Sequence, residues 1–435
     1  MTTTATRTAI LRDGLLGGAD PEALATRFGT PYYAYDLDVV TAQVEALRAV
    51  LPARFDLAFA VKANPLLAVL GHLARLGVGA DVASGGELRH VLRAGFDASR
   101  VVFTGPGKRD EELAAAVDVG VRVVTVESRG ELERLSVIAA ARGRRQAVLL
   151  RLSMSDARRE ERIRIIGDDG AGKFGMDLDD LRAAAADAVA SPHLEPLGIH
   201  AFGASNVLDA EVLAAHVDAT IETAAAVARE AGFPLRLVDA GGGLGIPYAD
   251  GEAGLDLGAL GERLAAIAGR MAADPATAGT RVVIEPGRFL AGASGAYVAR
   301  VVERKTVDGS ELAILDGGIH HVLRPTLVGQ AHRVVALTGA AAGPAPLDAR
   351  HVTVVGPLCT GLDIVARAAP LGGLARGDLV GVLDVGAYGA TESMPLFLSH
   401  AMPAEVVLRG GVPRLARPRI EPETWLDWQL DVADE

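Results

Sequence analysis

Leu57-Ala58-Phe59-Ala60-Val61 is a short apolar run closed by Lys62-Ala63-Asn64-Pro65; residues 66–76 then carry apolar side chains at helical spacing, and residues 78–82 are again largely apolar. Strand, helix, strand in that order is the unit of a parallel sheet. The alternation continues down the chain. Apolar runs at 101–103, 121–126, 147–152, 197–201, 235–238 and 282–284 are separated by stretches at 87–94, 110–117, 129–141, 178–190, 210–230 and 257–273, rich in Ala, Leu, Glu and Arg. Right-handed crossovers turn such a chain into a doubly wound sheet or a (β/α)8 barrel, and eight strand candidates favour the barrel.

After about residue 290 the texture changes. Runs at 298–307, 311–315, 332–337, 351–355, 379–383 and 404–408 read as strands joined by Gly, Pro and Asp turns, and long helices are scarce. The expected organisation is an N-terminal segment (1–36) packing on the β domain, a barrel over 37–291, and a C-terminal β-barrel-like domain over 292–435. The Pro/Gly/Ala patch at 339–346 reads as an exposed loop.

Composition agrees. Of 435 residues half are hydrophobic but only 4% aromatic, so the core must rest on Ala, Val and Leu, as helices packed on buried parallel strands require. A net charge of −12 without a basic block argues against a nucleic-acid or anionic-membrane surface. No uncharged apolar run reaches membrane-spanning length, and residues 1–7 do not begin a signal peptide. The single cysteine, Cys359, excludes an intrachain disulfide and fits a reducing, cytoplasmic setting.

In a (β/α)8 barrel the chemistry sits at the C-terminal strand ends. Lys62 ends the first predicted strand. Buried in a barrel mouth it would have a lowered pKa and act as a nucleophilic amine; read alone, it is equally a lysine reaching to solvent. Gly241-Gly242-Gly243 follows the seventh strand, where backbone N–H groups can hold a phosphate, or where a chain simply turns tightly. Glu285 ends the eighth strand near Arg288, as an ion pair or as the partner of a cofactor ring nitrogen. His200 and Phe202 alternate on the sixth strand, so either ring can face a cofactor or pack in the core. Cys359 lies in Gly356-Pro357-Leu358-Cys359-Thr360-Gly361-Leu362-Asp363, a poor place for a buried hydrophobe, which favours chemistry.

These clusters together resemble the fold-type III pyridoxal-phosphate decarboxylases, the diaminopimelate/ornithine decarboxylase family. The likeness rests on segments 59–64, 81–87, 173–175, 200–206, 241–245, 285–288, 316–318, 356–363 and 386–389, all in the family's order. It implies an alanine-racemase-type barrel, pyridoxal 5'-phosphate as cofactor, no metal, and a homodimer with shared active sites. Lys62 resembles the Schiff-base lysine and Glu285 the pyridinium partner. Ser205, Gly241, Gly242 and Gly243 resemble the phosphate ligands, with the backbone at Gly287 and Arg288 and the Tyr388 hydroxyl. Cys359 resembles the proton donor that a neighbouring subunit inserts, and Arg288, Arg324, Thr360 and Asp363 the substrate contacts.

The departures bear on substrate. Phe202 stands where the family stacks a histidine on the cofactor, and Gly203-Ala204-Ser205 replaces an apolar-Gly-Ser order. Diaminopimelate decarboxylases follow their cysteine with a glutamate that receives the distal ammonium; here it is Thr360. They place a tyrosine after the Arg-Pro pair, where this chain has Arg324-Pro325 and then Val328. Losing partners for a charged group costs strong discrimination. The expected substrate is therefore a modified or carrier-protein-tethered amino acid, such as a glutamyl thioester in a secondary-metabolite pathway. The alternatives are diaminopimelate itself, or ornithine or lysine with Asp363 receiving the distal amine. A racemase on the same fold lacks a use for the cysteine motif, and a catalytically dead partner-binding homologue would not keep Lys62, Glu285 and Cys359 together.

Overall fold

The computed structural model describes residues 9–153, 172–203, 205–249, 251–340, 342 and 350–430. Residues 1–7, Ala204 and most of the 339–346 loop lie outside the described residues. Two compact units are distinguished: Gln43–Pro247 with Ala253–Leu290, and Met1–Ala42 with Tyr248–Glu252 and Ala291–Glu435.

The chain opens with a two-stranded pair, β1 (Leu11–Arg12) and β2 (Leu15–Leu16), helix α1 (Pro21–Phe28), strand β3 (Tyr32–Asp36) and helix α2 (Leu37–Val50). The barrel strands follow: β4 (Phe55–Ala60), β5 (Gly79–Val82), β6 (Val101–Phe103), β7 (Val123–Val126), β8 (Gln146–Leu152), β9 (Leu194–Ala201), β10 (Leu237–Asp239) and β11 (Arg281–Ile284). They are parallel and closed, with β11 returning to pair with β4. All eight coincide with apolar runs expected from the sequence. Between them lie α3 (Leu67–Arg75), α4 (Gly85–Ala94), α5 (Asp110–Val119), α6 (Arg129–Ala141), α7 (Leu178–Ala190), α8 (Ala210–Ala231) and α9 (Leu257–Ala273).

Helix starts are set by side-chain caps. Ser84, Ser128, Asp177, Asp209 and Asp256 each accept a backbone N–H from the first turn of the helix that follows. Ala58, Val102, Val123, Leu149, Leu237 and Val283, from six strands, form one buried cluster. The barrel centre is thus a packed core, and strand ends are left for chemistry. At Gly198 a Cβ would run into the Leu237 carbonyl oxygen, so β9 and β10 approach this closely only with glycine there.

The second unit is a nine-stranded sheet. After the short α10 (Arg288–Ala291) its elements are β12 (Gly295–Val307), β13 (Ser310–Leu315), α11 (Arg324–Val328), β14 (Val334–Ala336), β15 (Val352–Val355), β16 (Ile364–Ala369), β17 (Leu379–Leu383), β18 (Ala404–Arg409), β19 (Val412–Arg417) and α12 (Glu423–Leu426). β3 enters this sheet between β12, to which it runs antiparallel, and β18, to which it runs parallel. Tyr32, Tyr33 and Tyr35 on β3 are buried, and their hydroxyls donate to Pro21 O, His321 O and Glu405 Oε1 at 3.1, 2.6 and 2.7 Å. Ile10, Leu16, Leu24, Tyr32 and Ala34 join Ala296, Val298, Leu379 and Leu408 in one apolar cluster. Among the described residues no helix is long and apolar enough to cross a membrane.

Candidate active site

Lys62 sits in a single 3-10 turn (Val61–Ala63) directly after β4. Its ammonium lies 3.9 Å from Oδ2 of Asp81, on neighbouring β5, with the side chain half exposed. It also lies 5.6 Å from the centre of the Phe202 ring. The lysine therefore projects into the mouth instead of packing in the core.

Three buried polar groups line the adjoining strand ends. His200 on β9, Asp239 on β10 and Glu285 after β11 bring their ligand-type atoms within 4.8 Å of one another. His200 Nε2 stands 3.7 Å from Glu285 Oε2, longer than a hydrogen bond. Burial pushes the Glu285 carboxyl up, but His200, Lys62 and Asp239 outweigh it and hold it at about 2. Burial, reinforced by Glu285, pushes Asp239 well up, and burial pushes the His200 imidazole down. The cluster thus favours charge on Glu285 and disfavours it on Asp239 and His200.

Asp81 completes the floor. Burial first, then the Glu285 charge, raise its carboxyl to about 7 against the pull of Lys62. A buried carboxyl with a raised folded-state pKa favours folding while protonated, and that advantage is lost as pH rises towards about 7. In the cofactor-free protein, Asp81→Asn is expected to gain thermal stability relative to wild type steadily from pH 4 to 7 and to level off above. A difference independent of pH, in paired melting curves, contradicts this.

The glycine loop after β10 is shaped by contact. Gly241 has φ +66° and Gly243 φ +102°. A Cβ on Gly241 would meet the Ala201 carbonyl oxygen at 2.8 Å and the Phe202 ring at 3.0 Å, and one on Gly242 would meet the Glu285 carbonyl oxygen at 2.5 Å. Gly241 N donates to Asp239 Oδ1 at 2.9 Å, and Glu285 N to Gly241 O at 2.8 Å, which ties the loop to the Asp239 carboxylate and to the Glu285 backbone. Val207 N donates to Gly243 O at 2.8 Å, joining the loop to the segment after β9. Arg288 Nη2 donates to Ser205 Oγ at 3.3 Å, and a Cβ on Gly287 would meet Ala63 Cβ at 2.9 Å. The barrel residues expected from the sequence therefore converge on one rim.

A second polar layer was not legible as a site. Glu127 after β7 accepts Arg151 Nη1 at 2.6 Å, Gly105 N at 3.1 Å and Gly175 N at 3.1 Å. Buried Lys108 pairs with Glu131 at 2.6 Å, and the Arg151 guanidinium lies 4.6 Å over the Phe174 ring. Glu127 immediately follows an apolar run, so the strand-end rule that picked Lys62 applied equally there.

The remaining expected residues lie in the β-sheet unit. Cys359 is exposed, on the loop between β15 and β16. Asp363 is a correction. Expected as a receptor for a distal amine, it is buried, and its two carboxylate oxygens accept Ile319 N and Leu358 N, each at 2.8 Å. Both oxygens are thus engaged inside the fold, one of them by the cysteine loop's own Leu358 N. Leu362 N donates to Thr360 Oγ1 at 3.3 Å. Tyr388 adopts φ +57°, and its ring carries the Arg324 guanidinium at 4.8 Å.

Pyridoxal phosphate fits this rim. Both His200 ring nitrogens, Glu285 Oε1, Asp239 Oδ2 and Asp81 Oδ1 are buried without a hydrogen-bond partner among the described residues. An amine, an ionised carboxylate and a glycine cradle match the aldehyde, ring nitrogen and phosphate of that cofactor. A barrel enzyme built around pyridoxal phosphate is thus the class the fold and site define. The model of the pyridoxal binding domain of pyridoxal-dependent decarboxylases matches residues 37–292. A diaminopimelate decarboxylase of Pseudomonas aeruginosa is 36% identical over 390 residues, 89% of each chain. An L-glutamyl-BtrI acyl-carrier-protein decarboxylase of Niallia circulans is 32% identical over 410 residues, 92% of this chain and 94% of that one. The solved diaminopimelate decarboxylase of Helicobacter pylori complexed with L-lysine superposes with TM-score 0.83 at 28% identity, covering 94% of this chain and 98% of that one. The chain belongs to the pyridoxal-dependent decarboxylases of the diaminopimelate/ornithine decarboxylase family, and it decarboxylates an amino acid with that cofactor.

Proposed function

We propose that the substrate is an amino acid whose distal end is uncharged, such as a glutamyl unit held as a thioester on an acyl carrier protein. The supporting observation is the state of the cysteine loop. Thr360 stands where a distal ammonium would need a carboxylate, and the loop's one carboxylate, Asp363, is engaged by two backbone N–H groups. A charged distal amine would meet no counter-charge on that loop, and an unpaired charge is strongly disfavoured. Because the α-carboxylate must be free to leave as carbon dioxide, the thioester of a glutamyl substrate is on the side-chain carboxyl.

When bound, pyridoxal phosphate supplies an aldehyde that takes up the substrate amine and a protonated ring that accepts the electrons left by carbon dioxide. Lys62 is the residue to hold its aldehyde carbon, and Glu285, held ionised at about 2, to keep its ring nitrogen protonated. Gly241 to Gly243, Ser205, the backbone at Gly287 and Arg288, and the Tyr388 hydroxyl hold its phosphate. Phe202 supplies the ring face: it is only half-buried and lies beside Lys62, whereas His200 is buried against Glu285. Arg288, Arg324 and Thr360 contact substrate. Cys359 or Lys62 returns a proton to the α-carbon.

Cys359 reaches a site through a second copy of the chain in this reading. Leu327, Leu362, Leu396, Phe397 and Leu398 are 43–65% exposed on the elements that carry Arg324, Cys359 and Tyr388, and a homodimer would cover them.

The test compares kcat/KM of the holoenzyme on γ-glutamyl pantetheine thioester, meso-diaminopimelate and ornithine. The thioester is expected to be preferred by at least about 100-fold, the scale of a missing partner for a charged group. Turnover of free diaminopimelate at ordinary enzyme rates overturns the reading.

A further inference from the structure

Arg324 is a buried cation with an internal counter-ion. It opens α11, and Thr326 on that helix donates its hydroxyl to Leu362 O at 3.1 Å, tying α11 to the cysteine loop. Only 4% of Arg324 is exposed. Its Nη1 donates to Glu392 Oε2 at 2.7 Å, its Nε to Gln330 Oε1 at 3.1 Å, and the Tyr388 ring lies beneath it. Glu392 follows Tyr388 in the same loop, and its side chain is 32% exposed. Ser393 secures that loop, accepting Leu323 N at 3.2 Å and donating to Gly389 O at 2.8 Å. The pair is therefore built into the fold and is not a chance surface contact.

A guanidinium on a substrate-binding surface is a ready partner for a distal carboxylate, because its fork pairs both oxygens. Here that fork already carries a carboxylate. A substrate anion approaching Arg324 would have to expel Glu392 or lie against a like charge, which is disfavoured. A thioester or amide carbonyl meets neither obstacle.

We propose that Glu392 is a specificity-determining residue: by neutralising Arg324 it sets the site against distal carboxylates and in favour of neutral distal ends. This rests on the reading that Arg324 faces substrate, and it deepens that reading by naming what rejects the anion. Specificity thus comes from a repulsive element as well as from missing contacts.

L-Glutamate and γ-glutamyl pantetheine thioester bear the same reacting end and differ at the distal end, in its charge and in the pantetheine arm. The experiment reads the ratio of kcat/KM for these two on the holoenzyme. Glu392→Gln is expected to shift the ratio towards free glutamate by at least about tenfold, while Glu392→Asp keeps the wild-type ratio. An unchanged ratio in Glu392→Gln overturns the proposal. A second measurement needs no variant: 4-aminobutyramide should bind the wild-type holoenzyme at least about tenfold more tightly than 4-aminobutyrate, read from the cofactor's absorbance. Equal binding, or tighter binding of the acid, overturns it. If the wild type prefers diaminopimelate to the thioester, the substrate reading falls, and the ratio and the binding pair still decide the role of Glu392.

Discussion

Lys62→Ala is expected to lose decarboxylase activity by at least about 1,000-fold while remaining folded. The lysine combines exposure at the rim with a carboxylate neighbour, Asp81 at 3.9 Å, and an aromatic face, Phe202 at 5.6 Å. Lys108, a second lysine near these strand ends, is buried against Glu131 and cannot replace it. Because the Lys62 side chain is half exposed, its truncation leaves no large cavity, and stability should change by less than about 0.5 kcal/mol. Steady-state carbon dioxide release measures the activity, and the visible absorbance on adding pyridoxal phosphate measures covalent capture. Wild-type-like turnover with the absorbance retained would show that another amine holds the cofactor. Lys62→Arg should fail as well, since a guanidinium stays charged and is a poor nucleophile.

Glu285→Gln is expected to cost about 100- to 1,000-fold in kcat, on the scale of removing one preorganised electrostatic partner. The cause is charge and not shape. Glu285 is held ionised at about 2 although burial opposes it, and the amide cannot stabilise a protonated ring nitrogen. Cofactor binding should survive, because the glycine loop keeps Gly241 on Asp239 and the segment after β9 on Gly243. Loss of cofactor together with activity would make Glu285 a holder of the fold. Wild-type kcat in the variant would remove it from the chemistry.

The barrel was legible because each of its strands is a short apolar run and most are followed by a helix with a clear N-terminal cap. The bounds of α6, α7 and α9 match the expected 129–141, 178–190 and 257–273, two of them starting on the Asp that precedes an apolar stretch. β3 was missed because Tyr32-Tyr33-Ala34-Tyr35-Asp36 has no alternation: it is central in the sheet and buried throughout. β19 was missed for the opposite reason, being an edge strand with Pro413 and two arginines. At the rim, Lys62, Glu285 and the glycines were found by position, whereas Glu127 and Arg151 were passed over because an ion pair in sequence is two distant charges. Asp363 was misread because nothing in the sequence shows that two backbone N–H groups already occupy it. Glu392 went unnoticed since its partner is 68 residues away.

The most direct test of the substrate reading is a one-pot competition. Holoenzyme is given equal concentrations of γ-glutamyl pantetheine thioester, meso-diaminopimelate, ornithine and L-glutamate, and the mass lost as carbon dioxide is followed for each. The expected result is early, near-exclusive conversion of the thioester. Early conversion of diaminopimelate or ornithine would contradict it and would mean that a charged distal end finds a partner other than Thr360 and Asp363.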